Sequence, residues 1–250
     1  MGLTASKGRD NDDLIDKLIQ QRLIKTENVE KAMRLVDRGR FFLPGDIEMA
    51  YKDIAWRTEL EGPVKLHLSA PCIYANALEY LELKEGNSFL NIGSGTGFFN
   101  TIVGYLIGST GINHGIEIHE SLCDYARKKV EDTVKRAETQ CFDWAPPEFS
   151  CGNGLALSPS HYGQYDRVYC GASVPDDKHM RTLWELLKVG GVLVMPYDNQ
   201  VLQVEMILWF NKASFSADLS MCFSIEDTVT VLSFSCSKYA VVTMVTLKKR

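Results

Sequence analysis

At 250 residues, the chain is long enough for one large domain or for a domain with an appendage. Its net charge of −5 indicates no general attraction to nucleic acid or to an anionic membrane, and no run approaches the roughly 18 apolar residues that span a bilayer. The polar start, MGLTASKGRDNDD, is not expected to be a secretory signal. The seven cysteines are scattered without a C-x-x-C pair, which predicts reduced thiols, a cytoplasmic protein and no metal site.

The opening residues, MGLTAS, fit the pattern for N-myristoylation at Gly2 once Met1 has been removed. The alternative is a flexible tail, residues 1–10, that happens to begin with glycine. Lys7 and Arg9 are followed by aspartates rather than by more basic residues. A single acyl chain without a basic patch would therefore give at most weak association with a membrane.

Helices are predicted over the first part of the chain. DDLIDKLIQQRLI carries its apolar residues on one stripe, and Thr26 is placed to cap a second helix, ENVEKAMRLV. Residues 38–65 contain prolines and glycines and are predicted to be irregular. A third helix is predicted after LSAP, roughly over residues 72–83.

From Ser88 onward, predicted strands alternate with predicted helices. The strands are SFLNI, INHGIEI, DRVYCGA and VLVMP, the last opening after a KVGG turn, and the helices are FNTIVGYLIG, ESLCDYARKKVEDTVKRA and DKHMRTLWELL. This alternation predicts an α/β fold with a doubly wound, mostly parallel sheet. We place this domain at residues 11–205.

Residues 206–250 form a different kind of segment, with neither glycine nor proline. TVTVLSFS and AVVTMVTL flank a polar turn at Ser237 and Lys238, which predicts a hairpin. The hairpin could extend the parallel sheet with antiparallel strands, or it could be a poorly packed, aggregation-prone end. The sequence leaves both alternatives open.

The stretch FLNIGSGTGFF predicts a binding loop between a strand and a helix. It lacks the Gly-Lys-Ser/Thr of a phosphate loop, and Phe98 stands where the dinucleotide pattern has its third glycine. Its G-x-G-x-G spacing lets the backbone pass close beneath an adenosyl ligand without phosphate. Glu117 ends the next predicted strand, where a carboxylate can accept hydrogen bonds from both ribose hydroxyls. We infer S-adenosylmethionine as the ligand; the alternative is a tight turn followed by a solvated glutamate.

Five segments in order resemble the protein-L-isoaspartate O-methyltransferase family: DDLIDKLIQQRLIKTENVEKAMRLVDR, LHLSAPCIYANALEYL, LNIGSGTG, YDRVYCGASVP and LLKVGGVLVMP. The similarity covers roughly residues 12–200, and AYKDIAW, FLNIGSGTG and NHGIE resemble its isoaspartate-methyltransferase-domain-containing subgroup. The resemblance implies the S-adenosylmethionine-dependent methyltransferase fold with N-terminal helices and a reversed final strand. It also implies methyl transfer from S-adenosylmethionine to the α-carboxyl of L-isoaspartyl residues in damaged proteins.

The resemblance also implies the site residues. Ser69 in HLSAPC matches the catalytic serine, for which the alternative is a helix cap. The positions that match the cofactor site are Leu66, His67, Leu68, Tyr74, Asn91, Gly93, Ser94, Gly95, Thr96, Gly97, Glu117, Asn153 and Gly154.

Two of these positions depart from the family pattern. Asn91 stands where the family usually has Asp near the methionyl ammonium, and Asn153 stands where it has Asp toward the adenine edge. Because charge-assisted hydrogen bonds are roughly twice as strong as neutral ones, we expect weakened cofactor binding. The main hypothesis is a carboxyl methyltransferase. The alternative is a non-catalytic module that binds the cofactor and recognises isoaspartyl proteins, as in ubiquitin-ligase substrate adaptors.

The predicted partners are isoaspartyl-containing proteins or peptides. The subgroup is also implicated in docking to cullin-type ubiquitin ligases through a longer C-terminal region, and this chain stops before any such region.

Overall fold

The computed structural model describes residues 7–135, 141–172, 174, 177–197, 200–211, 222–225, 228–237 and 239–248. The chain divides into two compact units, Met1–Gly154 and Leu155–Arg250. None of the helices in the described ranges has the length and apolar character of a membrane span. The predicted acylation site at Gly2 lies outside the described residues.

Two N-terminal helices, α1 (Asn11–Gln20) and α2 (Glu27–Leu35), lie where their apolar stripes predict them. Asp10 caps α1, because its side chain accepts a hydrogen bond of 2.8 Å from the amide of Asp13. The prediction for Thr26 was wrong in one respect. Thr26 occupies the cap position of α2, but its hydroxyl makes no cap and lies 3.2 Å from Glu79 Oε1, to which it donates.

Residues 38–65 are more ordered than the sequence predicts. Two 3₁₀ turns, Arg38–Phe41 and Pro44–Met49, precede an antiparallel hairpin of β1 (Trp56–Glu61) and β2 (Val64–Leu68). Gly62 has φ +54° at the turn of this hairpin, so the glycine that suggested irregular chain instead reverses two strands.

The remaining elements of the first unit alternate as predicted. They are α3 (Pro71–Leu81), β3 (Ser88–Ile92), α4 (Phe98–Ile107), β4 (Ile112–Glu117), α5 (Glu120–Val134) and the unpredicted short strand β5 (Glu148–Cys151). The three strands are parallel in the order β5-β4-β3, and every residue of β3 is buried. Helices between parallel strands confirm the α/β class. The carboxyl ends of β3 and β4 also meet at one edge, where ligand sites form in such sheets.

The second unit contains β6 (Tyr165–Cys170), α6 (Asp177–Glu185), β7 (Leu187–Tyr197), β8 (Gln200–Asn211), β9 (Cys222–Ile225), β10 (Thr228–Ser237) and β11 (Tyr239–Lys248). β6 and β7 are parallel, and β8, β11, β10 and β9 follow in that order as antiparallel strands.

The C-terminal hairpin is confirmed, because β10 pairs with β11, and β11 pairs with β8 as part of a sheet. The prediction that a turn at KVGG precedes the strand was wrong, because β7 already begins at Leu187 and runs through these glycines. Gly190 adopts φ +77° inside β7, and the pairing of β7 with β6 shifts register here. The predicted limits of 1–10, 11–205 and 206–250 stay predictions, and β8 runs across the second limit.

Candidate cofactor and acceptor site

The glycine loop joins β3 to α4 in a backbone conformation that residues with a side chain rarely adopt. Gly93, Gly95 and Gly97 have φ values of +78°, +54° and +80°. The amides of Gly93 and Ser94 donate to the carbonyl of Ile116 at 2.8 and 3.1 Å. Positive φ at three alternate positions costs glycine little, whereas other residues would be strained. The sequence spacing is therefore a conformational requirement.

Glu117 is held against this loop. Its side chain is buried; Oε2 accepts a hydrogen bond of 3.0 Å from the amide of Gly95, and Oε1 accepts one of 2.8 Å from the amide of Ile118. The alternative of a solvated glutamate is therefore wrong. An ionised carboxylate offers about four acceptor positions, so acceptor capacity for two ligand hydroxyls remains.

Asn91, the residue before the last of β3, presents an unsatisfied acceptor. Its side chain is buried; Nδ2 donates to Asn100 Oδ1 at 2.7 Å, while Oδ1 has no partner among the described residues. In the loop that follows, the buried hydroxyl of Ser94 also has no partner among the described residues, and Thr96 Oγ1 accepts from the amide of Phe98 at 3.4 Å. Buried polar atoms without partners are costly and mark places where a ligand can bind.

The end of β2 lies beside the glycine loop. A Cβ placed on Gly95 would lie 3.5 Å from the carbonyl oxygen of His67. Leu66 and Leu68 are buried and the side chain of His67 is exposed, as the alternation along a strand requires. The two leucine side chains are core residues, so a ligand at the loop would meet their backbone.

Ser69 follows β2 and does not cap the next helix. α3 has Ala70 at its cap position with no side-chain hydrogen bond, and the amide of Cys72 in its first turn donates to Asp53 Oδ1 at 2.8 Å. The capping alternative for Ser69 is therefore wrong. The amide of Ser69 instead donates to Tyr74 Oη at 3.2 Å.

Tyr74 ties Ser69 to the start of α4. Its ring stacks on Phe99 with centroids 5.2 Å apart and meets Phe98 edge-on at 5.6 Å. Burial raises the pKa of Tyr74, so its hydroxyl stays protonated at neutral pH. The residues after the glycine loop thus position the serine through one aromatic side chain.

Arg38 is a site residue that the sequence reasoning missed. The residue is 1% exposed, and Nη2 donates to the carbonyl of Ser69 at 2.9 Å. Nε and Nη1 have no partner among the described residues, and no ion pair of Arg38 is found there. An arginine in an irregular stretch gave no pattern to recognise. Only the aromatic pair after it, GRFF, hinted at burial.

Three aromatic rings surround this cation. The Arg38 guanidinium lies 5.4 Å from the ring centroid of Phe42, 5.6 Å from that of Phe98 and 6.0 Å from that of Tyr74. Burial lowers the pKa of Arg38 to about 10, so the group remains charged at neutral pH. Cation–π contacts offset part of its desolvation but do not satisfy its N–H donors.

The last two predicted positions follow β5. Asn153 is exposed, whereas Gly154 is buried against β3, and a Cβ on Gly154 would lie 2.5 Å from Ile92 Cγ2. Close packing against the strand end thus explains why position 154 needs glycine. The cofactor roles of both residues stay predictions.

These residues fit an adenosylmethionine-type ligand. The glycine loop, the bonded carboxylate of Glu117 and the unpartnered acceptor of Asn91 lie at neighbouring strand ends, and Ser69 follows the strand beside the loop. Within the described ranges, no cluster of three His, Cys, Asp or Glu residues could hold a metal ion. The acceptor oxygens of Asn91 and Glu117 suit an organic ligand with hydroxyl and amino groups.

The family model for protein-L-isoaspartate(D-aspartate) O-methyltransferase matches residues 9–221. This chain belongs to that family. Among curated relatives, the protein-L-isoaspartate O-methyltransferase of Methanococcus aeolicus is 33% identical over 184 residues, which cover 73% of this chain and 77% of the relative. The enzyme of the same name from Methanosarcina mazei is 31% identical over 182 residues, or 72% of this chain and 68% of the relative.

The fold of the family is also found among solved structures. A protein-L-isoaspartate O-methyltransferase from Plasmodium falciparum, in complex with S-adenosyl-L-homocysteine, superposes with a TM-score of 0.61 and 20% identity, covering 80% of this chain and 90% of that one. The predicted doubly wound methyltransferase fold is thereby confirmed.

Proposed function

We propose that this chain is an S-adenosylmethionine-dependent methyltransferase that esterifies the α-carboxyl of L-isoaspartyl residues in proteins. Family membership supports the reaction class. The glycine loop, Glu117 and Ser69 support the same reaction, because all three belong to the first compact unit and the loop is joined to Glu117 by a hydrogen bond.

One observation carries the choice of a carboxylate as the methyl acceptor. Arg38 is a buried cation, bonded to the Ser69 carbonyl at 2.9 Å, whose Nε and Nη1 lack partners among the described residues. A buried charge that makes no direct ion pair is costly, and an anion beside Ser69 would add to the partial offset that the charge of Asp53 gives. The substrate of this reaction is such an anion.

The proposed chemistry needs no strong base. A carboxylate is already ionised near pH 7, and S-adenosylmethionine supplies an activated methyl group when bound. Partial burial, with the charges of Arg57 and Arg38, lowers the pKa of His67, so its imidazole is neutral at pH 7 and adds no competing positive charge. The protein's task is alignment, which can contribute several kcal/mol to a bimolecular reaction.

Each residue has a distinct role in that alignment. Ser69 would donate its hydroxyl proton in a hydrogen bond to the acceptor carboxylate, and its neighbours Tyr74 and Arg38 hold its backbone at the amide and carbonyl ends. Glu117 would accept the ribose hydroxyls while it keeps its bond to the amide of Gly95. The loop and the acceptor group are thereby held in one fixed arrangement.

Transfer of tritiated methyl groups tests the proposal. We expect label on a peptide with one isoaspartyl residue, little on its aspartyl twin, and a large loss with Ser69→Ala. A wild-type signal no higher than that of Ser69→Ala would contradict the proposal.

The non-catalytic alternative is supported by the neutral amides at positions 91 and 153. It predicts that wild-type protein binds S-adenosylmethionine and prefers the isoaspartyl peptide, yet transfers no methyl group. Calorimetric titration on the sample used for the transfer assay separates the two functions. Equal affinity for the isoaspartyl and aspartyl peptides would contradict the recognition role.

We also propose that this protein is cytoplasmic, myristoylated at Gly2 and weakly held at membranes. The MGLTAS pattern alone supports the myristoylation. Intact-mass analysis after co-expression with an N-myristoyltransferase tests this; an unmodified Gly2→Ala variant is the control. Ubiquitin-ligase components are a further partner class, which only the resemblance to the subgroup supports.

A further inference from the structure

Three buried asparagines connect consecutive elements of the first unit. Asn91 of β3 donates from Nδ2 to Asn100 Oδ1 of α4 at 2.7 Å. Asn100 donates from Nδ2 to Asn113 Oδ1 of β4 at 2.9 Å and to the carbonyl of His114 at 3.0 Å. None of the three side chains is more than 3% exposed. We call this set the amide chain.

Backbone carbonyls fix the direction of the amide chain. Asn113 Nδ2 faces the carbonyls of Asn100 and Ala145 at 2.9 and 3.0 Å. Because a carbonyl can only accept, Asn113 must place its NH₂ there and turn its oxygen toward Asn100. Asn100 likewise must keep its NH₂ on the His114 carbonyl, which leaves its oxygen for Asn91.

The direction has one consequence at the glycine loop. Asn91 must act as a donor toward Asn100, so Oδ1 is the atom left over, and it has no partner among the described residues. The chain thus ends in a neutral acceptor, two residues before Gly93.

We propose that the amide chain holds Asn91 Oδ1 as a neutral acceptor for a hydrogen-bond donor of the bound cofactor, and that position 91 requires an amide in this protein. The identity of the cofactor rests on the proposed function; the requirement for an amide does not. An aspartate at position 91, although usual in the family by the resemblance, would not improve this site.

The reason is that an ionised aspartate has no proton to donate. A carboxylate at position 91 would face Asn100 Oδ1, and Asn100 cannot turn over without setting its oxygen against the His114 carbonyl. The new group would have to take up a proton to satisfy Asn100. In that form it supplies no negative charge to the cofactor.

The nearby ionisable groups do not change this outcome. Glu117 bonds to the loop at Gly95, and its negative charge would further disfavour a second carboxylate. Arg38 packs on the ring of Phe98 and bonds to Ser69, and no described contact joins it to the amide chain. Neither group supplies the donor that Asn100 needs.

Thermal unfolding of the ligand-free protein tests the amide requirement. We expect Asn91→Asp to lower Tm by about 5 °C at pH 8. The deficit should shrink as the pH falls toward 5, because burial raises the pKa of the new carboxyl in the folded protein and it takes up its proton there, and should disappear only below the unfolded pKa of about 3.9. Asn28→Asp, a change of the same atoms on the exposed start of α2, controls for the added charge and should show no such pH-dependent loss.

A second variant keeps the test decisive if Asn91→Asp does not fold. Asn100→Ser supplies a hydroxyl that can donate to a carboxylate at position 91. We expect Asn100→Ser alone to destabilise the protein but to raise Tm, or to restore folding, in the Asn91→Asp background. Additive losses in this double-mutant cycle, or an Asn91→Asp protein as stable as wild type at pH 8, would overturn the proposal.

Ligand titration tests the acceptor role separately. We expect Asn91→Asp to bind S-adenosylhomocysteine at least threefold more weakly than wild type at pH 8, while 5′-methylthioadenosine, which lacks the amino-acid part, changes less. Tighter binding of S-adenosylhomocysteine by Asn91→Asp would overturn the acceptor role. If wild type bound neither ligand, the proposed function would fail, and the unfolding experiment would still decide the amide requirement.

Discussion

The glycine loop lies beside the end of β2, and the 3₁₀ turn Arg38–Phe41, the Arg38 turn, contacts Ser69 just after it. The two regions satisfy their polar groups in opposite ways. In the loop, the amides of Gly93, Ser94 and Gly95 all donate within the protein, to Ile116 or Glu117. In the turn, Arg38 is buried but has two N–H-bearing nitrogens without partners among the described residues. These backbone amides of the loop are satisfied without a ligand, whereas the turn holds a charge that an anionic ligand would stabilise.

This difference separates what each region contributes. A loop whose amides are bonded within the protein contributes preorganisation, and substitution of its glycines should affect folding first. An unsatisfied buried cation reduces the stability of the free protein, so its removal should affect activity more than folding.

The largest effect is expected for Gly97→Ala. At φ +80°, the new Cβ would be strained and would lie 3.0 Å from Phe149 Cζ and 3.1 Å from Ala126 Cβ. We expect a loss of about 3 kcal/mol in the free energy of unfolding, measured by urea denaturation. Gly163→Ala is the control, because Gly163 has φ +66° with nothing within 4 Å of its Cβ position, and should lose only about 1 kcal/mol. Equal losses would show that packing under the loop contributes nothing.

Arg38→Met should separate activity from stability. Because methionine fills much of the same volume without a charge, we expect the free energy of unfolding to change by less than about 1 kcal/mol. We expect kcat/KM for the isoaspartyl peptide to fall about 100-fold, since Ser69 loses its carbonyl anchor and the acceptor loses a cation.

Arg38→Lys is the matched conservative variant. It keeps the charge without the planar guanidinium, so we expect its activity to lie between those of wild type and Arg38→Met. Lost stability with unchanged kcat/KM in Arg38→Met would assign Arg38 a structural role alone.

Glu117→Gln is expected to weaken cofactor binding about tenfold with little change in Tm. The amide keeps one acceptor oxygen but loses the charge that strengthens bonds to hydroxyls and to the Gly95 amide. Calorimetric titration with S-adenosylhomocysteine measures this change. Glu120→Gln, an exposed acid paired with Arg127 outside the loop, should bind as wild type does. Unchanged affinity in Glu117→Gln would remove this carboxylate from the cofactor site.

The smallest effect is a pH dependence at His67. Its pKa is lowered in the folded protein, mainly by desolvation and then by Arg57 and Arg38, so the unfolded chain binds this proton more readily. Stability from this source is complete above the unfolded pKa of about 6.5 and is lost as the pH falls through it. We therefore expect the Tm of His67→Gln, relative to that of wild type, to be higher at pH 5.5 than at pH 8. The difference should be at most about 2 °C, because the exposed ring is screened by solvent. An identical Tm profile in wild type and His67→Gln would contradict this.

Much of the fold could be predicted because its signals are local. SFLNI is a buried run of strand length, and β3 has those limits, Ser88–Ile92. The hairpin of β10 and β11 also followed from its alternating pattern and polar turn. In contrast, Gly62 does not by itself predict the hairpin, because one glycine is equally typical of an irregular loop and of the turn between β1 and β2.

The candidate site divides in the same way. The sequence alone determined the glycine loop and its companion Glu117, because a backbone with φ near +54° to +80° admits few residues other than glycine. Only the tertiary structure showed that Arg38 meets Ser69, 31 positions away along the chain, and that Asn91, Asn100 and Asn113 share one direction of hydrogen bonding. Backbone conformation is restricted residue by residue and is therefore visible in sequence. The partner of a buried polar group depends on which distant segments pack together, and that is decided when the chain folds.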